Sequence, residues 1–319
     1  MLYSIIVPVY NRPDEIDELL NSLTRQTFSD FEVLIIEDGS DERCKSVAER
    51  YSGRLNIRYY FKENSGQGFS RNYGFERAEG DYFVVFDSDC IIPDHYFETV
   101  TRTLRSDRID CWGGPDRAHP SFTPVQKAIS YSMTSPLTTG GIRGGKKRIG
   151  QFHPRSFNMG ISREVFEQTG GYKITRMGED IEFSLRIIEA GFRTALIPEA
   201  YVYHKRRTNF GQFFKQLHFF GRARVNIHRF YPDQLKTVHL LPVLFLIGIP
   251  VSLLFLVFRL PIISFAPSIY LLYAILLFSD SYRVSGNITV SLLSVPAAFI
   301  QLTAYGAGLL QEMKREISD

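Results

Sequence analysis

Tyr82-Phe-Val-Val-Phe-Asp-Ser-Asp89 is an apolar run of strand length that ends in two carboxylates two residues apart. A strand with no polar face must be buried on both sides, as in a parallel sheet covered by helices. Working outward, Tyr3–Val9, Phe31–Glu37 and Leu55–Phe61 read the same way. Helical patterns fall between them: Ile16, Leu19, Leu20 and Leu23 recur at helical spacing, and a further helix is expected over Gly68–Glu79. Later, helices are expected from near Ser162 and over Asp180–Ala190, with short strands around Thr194–Ile197 and Ala200–His204. Strand–helix alternation predicts an α/β fold with a mostly parallel sheet flanked by helices.

In such sheets ligands bind beyond the carboxyl ends of the strands. The polar residues there are Asn11, Asp38, Asn64, Asp87 and Asp89. Two carboxylates at one strand end can hold a hard cation through oxygen, which marks Asp87-Ser88-Asp89 as the candidate metal and diphosphate site. From Cys111 to Arg155 the pattern loosens into Gly-rich stretches, a long connection of the kind that carries function.

The 319 residues divide into two unlike regions. Up to about Pro232 the chain is mixed and charged. From Val238 to Leu310 only Arg259, Asp280 and Arg283 carry full charges. Val238–Phe258, Pro261–Ser279 and about Asn287–Leu310 each approach the roughly 20 residues that cross a bilayer. Arg259-Leu260-Pro261 would make the first two a tight hairpin, and Ala304 and Gly308 offer a small-residue face for helix packing. A hairpin that enters the bilayer without crossing is the alternative.

Net charge is only +3, too small to argue for nucleic acid, and no nucleic-acid partner is expected. Its distribution says more. Lys205–Pro232 holds seven Lys or Arg and no Asp or Glu, interleaved with Phe210, Phe213, Phe214, Phe219, Phe220 and Phe230. That suits an anionic membrane surface, so membrane lipids are an expected partner; a solvated basic helix is the alternative. Cys44, Cys90 and Cys111 form neither a disulfide framework nor a CxxC site, which fits a reducing compartment. No signal peptide is read before the first strand, so the N-terminal region is expected to fold on the cytoplasmic side.

Several segments together resemble the family 2 inverting glycosyltransferases. They are Ser4-Ile-Ile-Val-Pro-Val-Tyr-Asn11, Glu37-Asp-Gly-Ser-Asp41, Asn64–Gly74, Gly80–Asp89, Asn158-Met-Gly-Ile-Ser-Arg163 and Gly178-Glu-Asp180, in the family's order. The resemblance implies a GT-A fold over 1–205, with a nucleotide-sugar half at 1–89 and an acceptor half at 90–205. A membrane-surface helix at 206–236, a membrane region of two to three helices at 237–311 and a tail at 312–319 would complete the chain.

The resemblance also implies roles. Pro8 and Asn11 fall in the loop that contacts base and ribose, Asp38 matches the carboxylate that bonds the nucleobase, and Asn64 and Arg71 lie near the nucleotide. Asp87 and Ser88 would face the nucleotide sugar, and Asp89, with Asp87 and His204, a divalent metal, Mn2+ or Mg2+. Asp180 becomes the general base and Glu179 an acceptor contact. Asp116, and the loop bearing Arg143, Lys146, Lys147 and Arg148, are candidates for holding an acceptor or a diphosphate. Simpler readings stand beside these: Asp38 as a cap of the helix after it, Arg71 as a solvated helix residue, Glu179 and Asp180 as dipole partners at a helix start, His204 as structural.

Together these features predict transfer of a sugar from a nucleotide-sugar donor, UDP first among them, to an acceptor hydroxyl. A lipid-linked glycan in polysaccharide or envelope assembly is the expected acceptor, and the inner membrane the expected site. A polyprenyl-phosphate sugar synthase and an inactive nucleotide-sugar-binding subunit stay open. A processive synthase does not fit, because its Gln-x-x-Arg-Trp motif follows the base, and the one tryptophan here, Trp112, precedes it.

Overall fold

The computed structural model describes residues 1–139, 152–257 and 266–318. The loop bearing Arg143, Lys146, Lys147 and Arg148 lies outside the described residues, as does the link Arg259–Pro261.

The chain opens with β1 (Tyr3–Val9), α1 (Pro13–Leu23), β2 (Phe31–Asp38), α2 (Lys45–Tyr51), β3 (Ile57–Lys62), α3 (Gln67–Phe75) and β4 (Tyr82–Phe86). Next come β5 (Cys90–Ile91), α4 (Tyr96–Ser106), β6 (Cys111–Gly113) and β7 (Asp116–Arg117). Helices α5 (Pro124–Thr134) and α6 (Pro136–Thr139) precede β8 (Asn158–Ser162), α7 (Arg163–Thr169), α8 (Glu179–Glu189), β9 (Thr194–Leu196) and β10 (Val202–His204). The rest is helical: α9 (Phe210–Phe230), α10 (Leu241–Val257), α11 (Ala266–Ser285) and α12 (Ile288–Ser318).

The described residues form two compact units. The first draws on Met1–His119 and Gly150–Lys205. Its seven-stranded sheet has the order β3-β2-β1-β4-β8-β6-β9, and the pairs among β1 to β4 are all parallel. Strand β8 runs antiparallel between β4 and β6. The apolar strands are covered as their composition requires: β1 buries Ile5 and Val7 toward one face and Ile6 toward the other, where Phe75 and Phe183 pack. Trp112 is wholly buried and lies across Gly160, where a Cβ would meet the indole at 2.0 Å, so it is a core residue. A small second sheet, β5-β10-β7, follows the Asp87–Asp89 turn and sets His204 opposite Cys90.

The second unit draws on Pro120–Ile149 and Arg206–Asp319. The expected 1–205 block is therefore interrupted, for a packing reason: α5 buries Ile129 and Met133 with Phe213 and Leu217 of α9 and Ala297 and Ala304 of α12. The small-residue face of α12 packs as anticipated, with α9 as its partner. A Cβ at Gly308 would lie 2.0 Å from the His218 carbonyl, and one at Gly221 2.1 Å from that of Tyr305. The 312–319 segment is helical through Ser318, because Glu312 is buried in an ion pair with Arg222 and Arg229.

Among the described residues two stretches are long and apolar enough to cross a membrane, Thr237–Leu254 and Ile288–Arg315, with mean hydropathy 2.2 and 1.5. The first exposes Leu244, Ile247, Leu253 and Leu254, a surface that suits lipid. The described part of the expected middle stretch, Pro261–Ser279, is helical in α11, which runs past it through Asp280; that carboxylate accepts from Tyr131 Oη at 2.8 Å and from Arg283 at 2.6 Å.

Candidate active site

Within the first unit the carboxyl ends of β1 and β4, helix α3, the start of α8 and the end of β10 supply one connected set of charged side chains. Asp89 lies at its centre. Its Oδ2 accepts from Arg12 Nη1, and its Oδ1 stands 3.0 Å from His204 Nε2. Burial alone would push the Asp89 carboxyl up, but His204 and Arg12 outweigh it and hold the group well below the ordinary carboxylate range. His204 Nε2 also lies 3.9 Å from Asp87 Oδ2, and the Phe157 ring stacks on the imidazole at 5.0 Å.

Asp87 leads to the second part of the network. Arg71 gives Nη2 to Asp87 Oδ1 at 2.9 Å and Nη1 to Glu179 Oε1 at 3.4 Å. With 1% exposure, Arg71 is not a solvated helix residue; its charge is compensated inside the protein. Gln67, one helical turn before it, also bonds Glu179. Gly178 makes this approach possible, since φ of 102° turns the chain into α8 in a conformation that glycine tolerates.

Glu179 and Asp180 are adjacent yet unlike. The Glu179 side chain is 8% exposed; burial and the neighbouring Asp180 charge push its carboxyl up, against Arg71 and Gln67. The Asp180 side chain is 23% exposed and accepts from Arg155 Nη1 at 3.2 Å. A carboxylate that is open to solvent and held by one cation can take a proton from a bound hydroxyl; a buried one held by two donors is better suited to positioning.

Asp38 is 4% exposed and turned inward. It accepts from Lys62 Nζ and from the backbone amides of Ser65 and Gly66, each 2.9 Å away. Burial would raise its pKa, but these donors hold it below the usual range. It does not cap α2, which begins after Cys44 with no side-chain cap. Asn64 closes the same turn by donating to the Asp38 carbonyl at 2.8 Å. Pro8 sits in β1 opposite Ile36, Asn11 takes a left-handed turn at φ 52°, and Ser88 is buried between the two aspartates. Asp116 is placed in the small sheet, paired with Val202 two residues before His204.

Arg12, Gln67 and Arg155 were not singled out by sequence. Arg12 and Gln67 fall inside stretches that attract notice, the Tyr-Asn-Arg-Pro turn and the Asn64–Gly74 segment. Arg155 carries no local signal.

Residues 4–170 match the domain described as glycosyl transferase family 2. The chain belongs to glycosyl transferase family 2. Among family relatives, the uncharacterized glycosyltransferase EpsJ of Bacillus subtilis is 29% identical over 214 residues, 64% of this chain and 61% of EpsJ. The chain thus spans about three fifths of that relative's length. Solved structures share the GT-A fold. The mannosyltransferase PcManGT from Pyrobaculum calidifontis, in complex with GDP-Man and Mn2+, aligns with a TM-score of 0.62 at 16% identity over 98% of this chain and 87% of that one. S. aureus TarS in complex with UDP-GlcNAc aligns at 0.51 and 17% identity, over 98% of this chain and 92% of that one. Family 2 membership places the chain among the glycosyltransferases.

Proposed function

We propose that the chain transfers a sugar, with inversion, from a UDP-sugar to a hydroxyl of a lipid-linked glycan at the cytoplasmic face of an inner membrane. The observation that carries the reading is the unbroken network Arg12–Asp89–His204 and Asp87–Arg71–Glu179, which sets metal-type donors beside a helix start bearing Asp180. Family neighbours solved with UDP-GlcNAc and with GDP-Man support a nucleotide-sugar donor of either base, and the lead given to UDP is part of the proposal.

The donor set fits a divalent cation. Asp89 and His204 already bring an oxygen and a nitrogen together, joined by an oxygen of Asp87, a mixture that suits Mn2+. Asp89, Asp87 and His204 would hold such an ion, which when bound supplies positive charge for the departing diphosphate. This chain's residues do the rest. Asp180 takes the acceptor proton while the acceptor oxygen bonds to the anomeric carbon, and the carbon–oxygen bond to the diphosphate breaks on the opposite face. The electron pair leaves with the nucleoside diphosphate. Arg71 and Gln67 keep Glu179 in place beside the acceptor, and Arg155 orients Asp180.

In this reading residues 1–119 and 150–205 hold the chemistry, with Asp116 on the acceptor side. The 206–236 segment lies at the lipid surface and the apolar helices anchor the chain. The experiment is thermal stabilisation of the full chain in detergent by UDP-, GDP- and dTDP-sugars with Mn2+. The largest shift is expected with a UDP-sugar and is abolished by EDTA. No shift with any of them overturns the donor assignment, and a shift unaffected by EDTA overturns the metal.

A further inference from the structure

We propose that Glu37 is a positioning residue for donor binding: through Ser40 it holds the Asn11 turn in the conformation that builds the nucleotide end of the site. The proposal rests on the nucleotide-sugar reading above. It starts from register, since Glu37 is the cross-strand partner of Val9, so the turns that leave β1 and β2 lie side by side.

Glu37 is fully buried, and a buried carboxylate requires donors. Three converge on it. Oε1 accepts the Ser40 hydroxyl, and Oε2 accepts the Cys44 amide at 2.7 Å and the Tyr59 hydroxyl at 3.2 Å. Ser40 has one proton and gives it to Glu37, so its oxygen is left to accept the Asn11 amide, at 2.8 Å. The polarity of the relay is therefore fixed from the carboxylate outward.

What it holds is unusual backbone. Asn11 has φ of 52°, a left-handed conformation that few non-glycine residues adopt. Its side chain is tied as well, with Oδ1 accepting the Glu42 amide at 3.1 Å. The next residue, Arg12, reaches Asp89. A turn released at Asn11 would shift both the surface expected to meet base and ribose and the guanidinium on Asp89. None of these atoms touches Asp180, so the loss falls on donor binding and spares proton transfer.

The test uses full-length chain in detergent with Ser40→Ala, Ser40→Thr and Glu37→Gln, titrated with UDP and with GDP in Mn2+. Whichever wild type binds better should bind Ser40→Ala about tenfold more weakly, the scale of one lost charge-assisted hydrogen bond. Ser40→Thr, which keeps the hydroxyl, should restore most of the affinity. Glu37→Gln should weaken binding similarly, since its amide can meet the three donors with only one acceptor oxygen. If Glu37→Gln fails to fold, the Ser40 pair decides alone. For hydrolysis of the bound nucleotide sugar, KM should rise while kcat changes by less than about threefold, a split that general destabilisation does not produce. Ser40→Ala with wild-type affinity, or with kcat lowered at unchanged KM, overturns the inference while donor binding by wild type stands. Wild type that binds neither nucleotide overturns both.

Discussion

His204 Nε2 lies 3.0 Å from Asp89 Oδ1, although residues 90–203 lie between them in the sequence. Strand β10 makes the contact by pairing antiparallel with β5, which places His204 directly opposite Cys90. An imidazole nitrogen and a carboxylate oxygen at this spacing can exchange their mutual contact for a shared cation with little movement. Ser88, between the two aspartates in sequence, is buried.

Asp89→Asn and His204→Ala follow as the first prediction. Each should remove Mn2+-dependent stabilisation by nucleoside diphosphate, Asp89→Asn the more completely because it also loses the charge that holds Arg12. Calorimetric titration of Mn2+ with UDP present, at fixed ionic strength, gives the measurement. Wild-type Mn2+ affinity in Asp89→Asn would remove that residue from the ligand set.

Arg222 and Arg229 converge on Glu312, which locks α9 against α12, and α12 contains an apolar stretch of membrane-spanning length. Exposed Leu244, Leu253 and Leu254 should keep the chain in membranes by apolar burial, which salt does not weaken. Membranes washed with about 1 M salt, where the Debye length is only about 3 Å, should retain it, and detergent should release it. Release by salt alone would mean that only surface charge holds the chain.

Much of this architecture is legible in sequence because burial leaves a compositional mark. Strands β1, β2 and β4 are covered on both faces and read as apolar runs, and the polar residues at their ends stand out against them. Strand β8 left no such mark: Asn158-Met-Gly-Ile-Ser162 is short, contains the glycine that admits Trp112, and gives no sign of running antiparallel. The docking of α5 on α12 was equally hidden, since Ile129 and Met133 find their partners far along the chain. Asp87, Asp89 and His204 lie together, but only the Asp87–Asp89 spacing is a local signal in the sequence. Arg155 was invisible because its significance lies wholly in reaching Asp180.

Asp38 gives a pH signature. Its folded-state pKa is lowered by Lys62 and the Ser65 amide in spite of burial, so its stabilising contribution is present above the unfolded aspartate value of about 3.9. That contribution is lost as pH falls through the lower folded value. Asp38→Asn should therefore be destabilised relative to wild type near neutrality, with the gap closing below about pH 4. Thermal melts of both proteins from pH 7 downward check this. A gap that stays constant with pH would show that Asp38 acts through shape rather than charge.

Asp180 and Glu179 provide the sharpest comparison, because adjacent carboxylates on one helix start are held so differently. Asp180 is the more open and bonds Arg155, whereas Glu179 is buried against Arg71 and Gln67 and has its carboxyl pushed up by burial and by Asp180 itself. Asp180→Asn keeps the shape and removes the proton acceptor, so donor affinity should survive while transfer falls by roughly 10²–10⁴-fold. Glu179→Gln should behave otherwise. It leaves the fully buried Arg71 with Asp87 as its remaining charged partner, and removing one member of a buried pair costs about 3–5 kcal/mol. Lowered melting temperature and weakened acceptor binding are expected, with a smaller loss in the chemical step. Single-turnover transfer measured beside donor affinity and melting temperature separates the two roles. Near-normal transfer by Asp180→Asn would move the base to Glu179, whose carboxyl is pushed up by burial and by Asp180, or to Asp116.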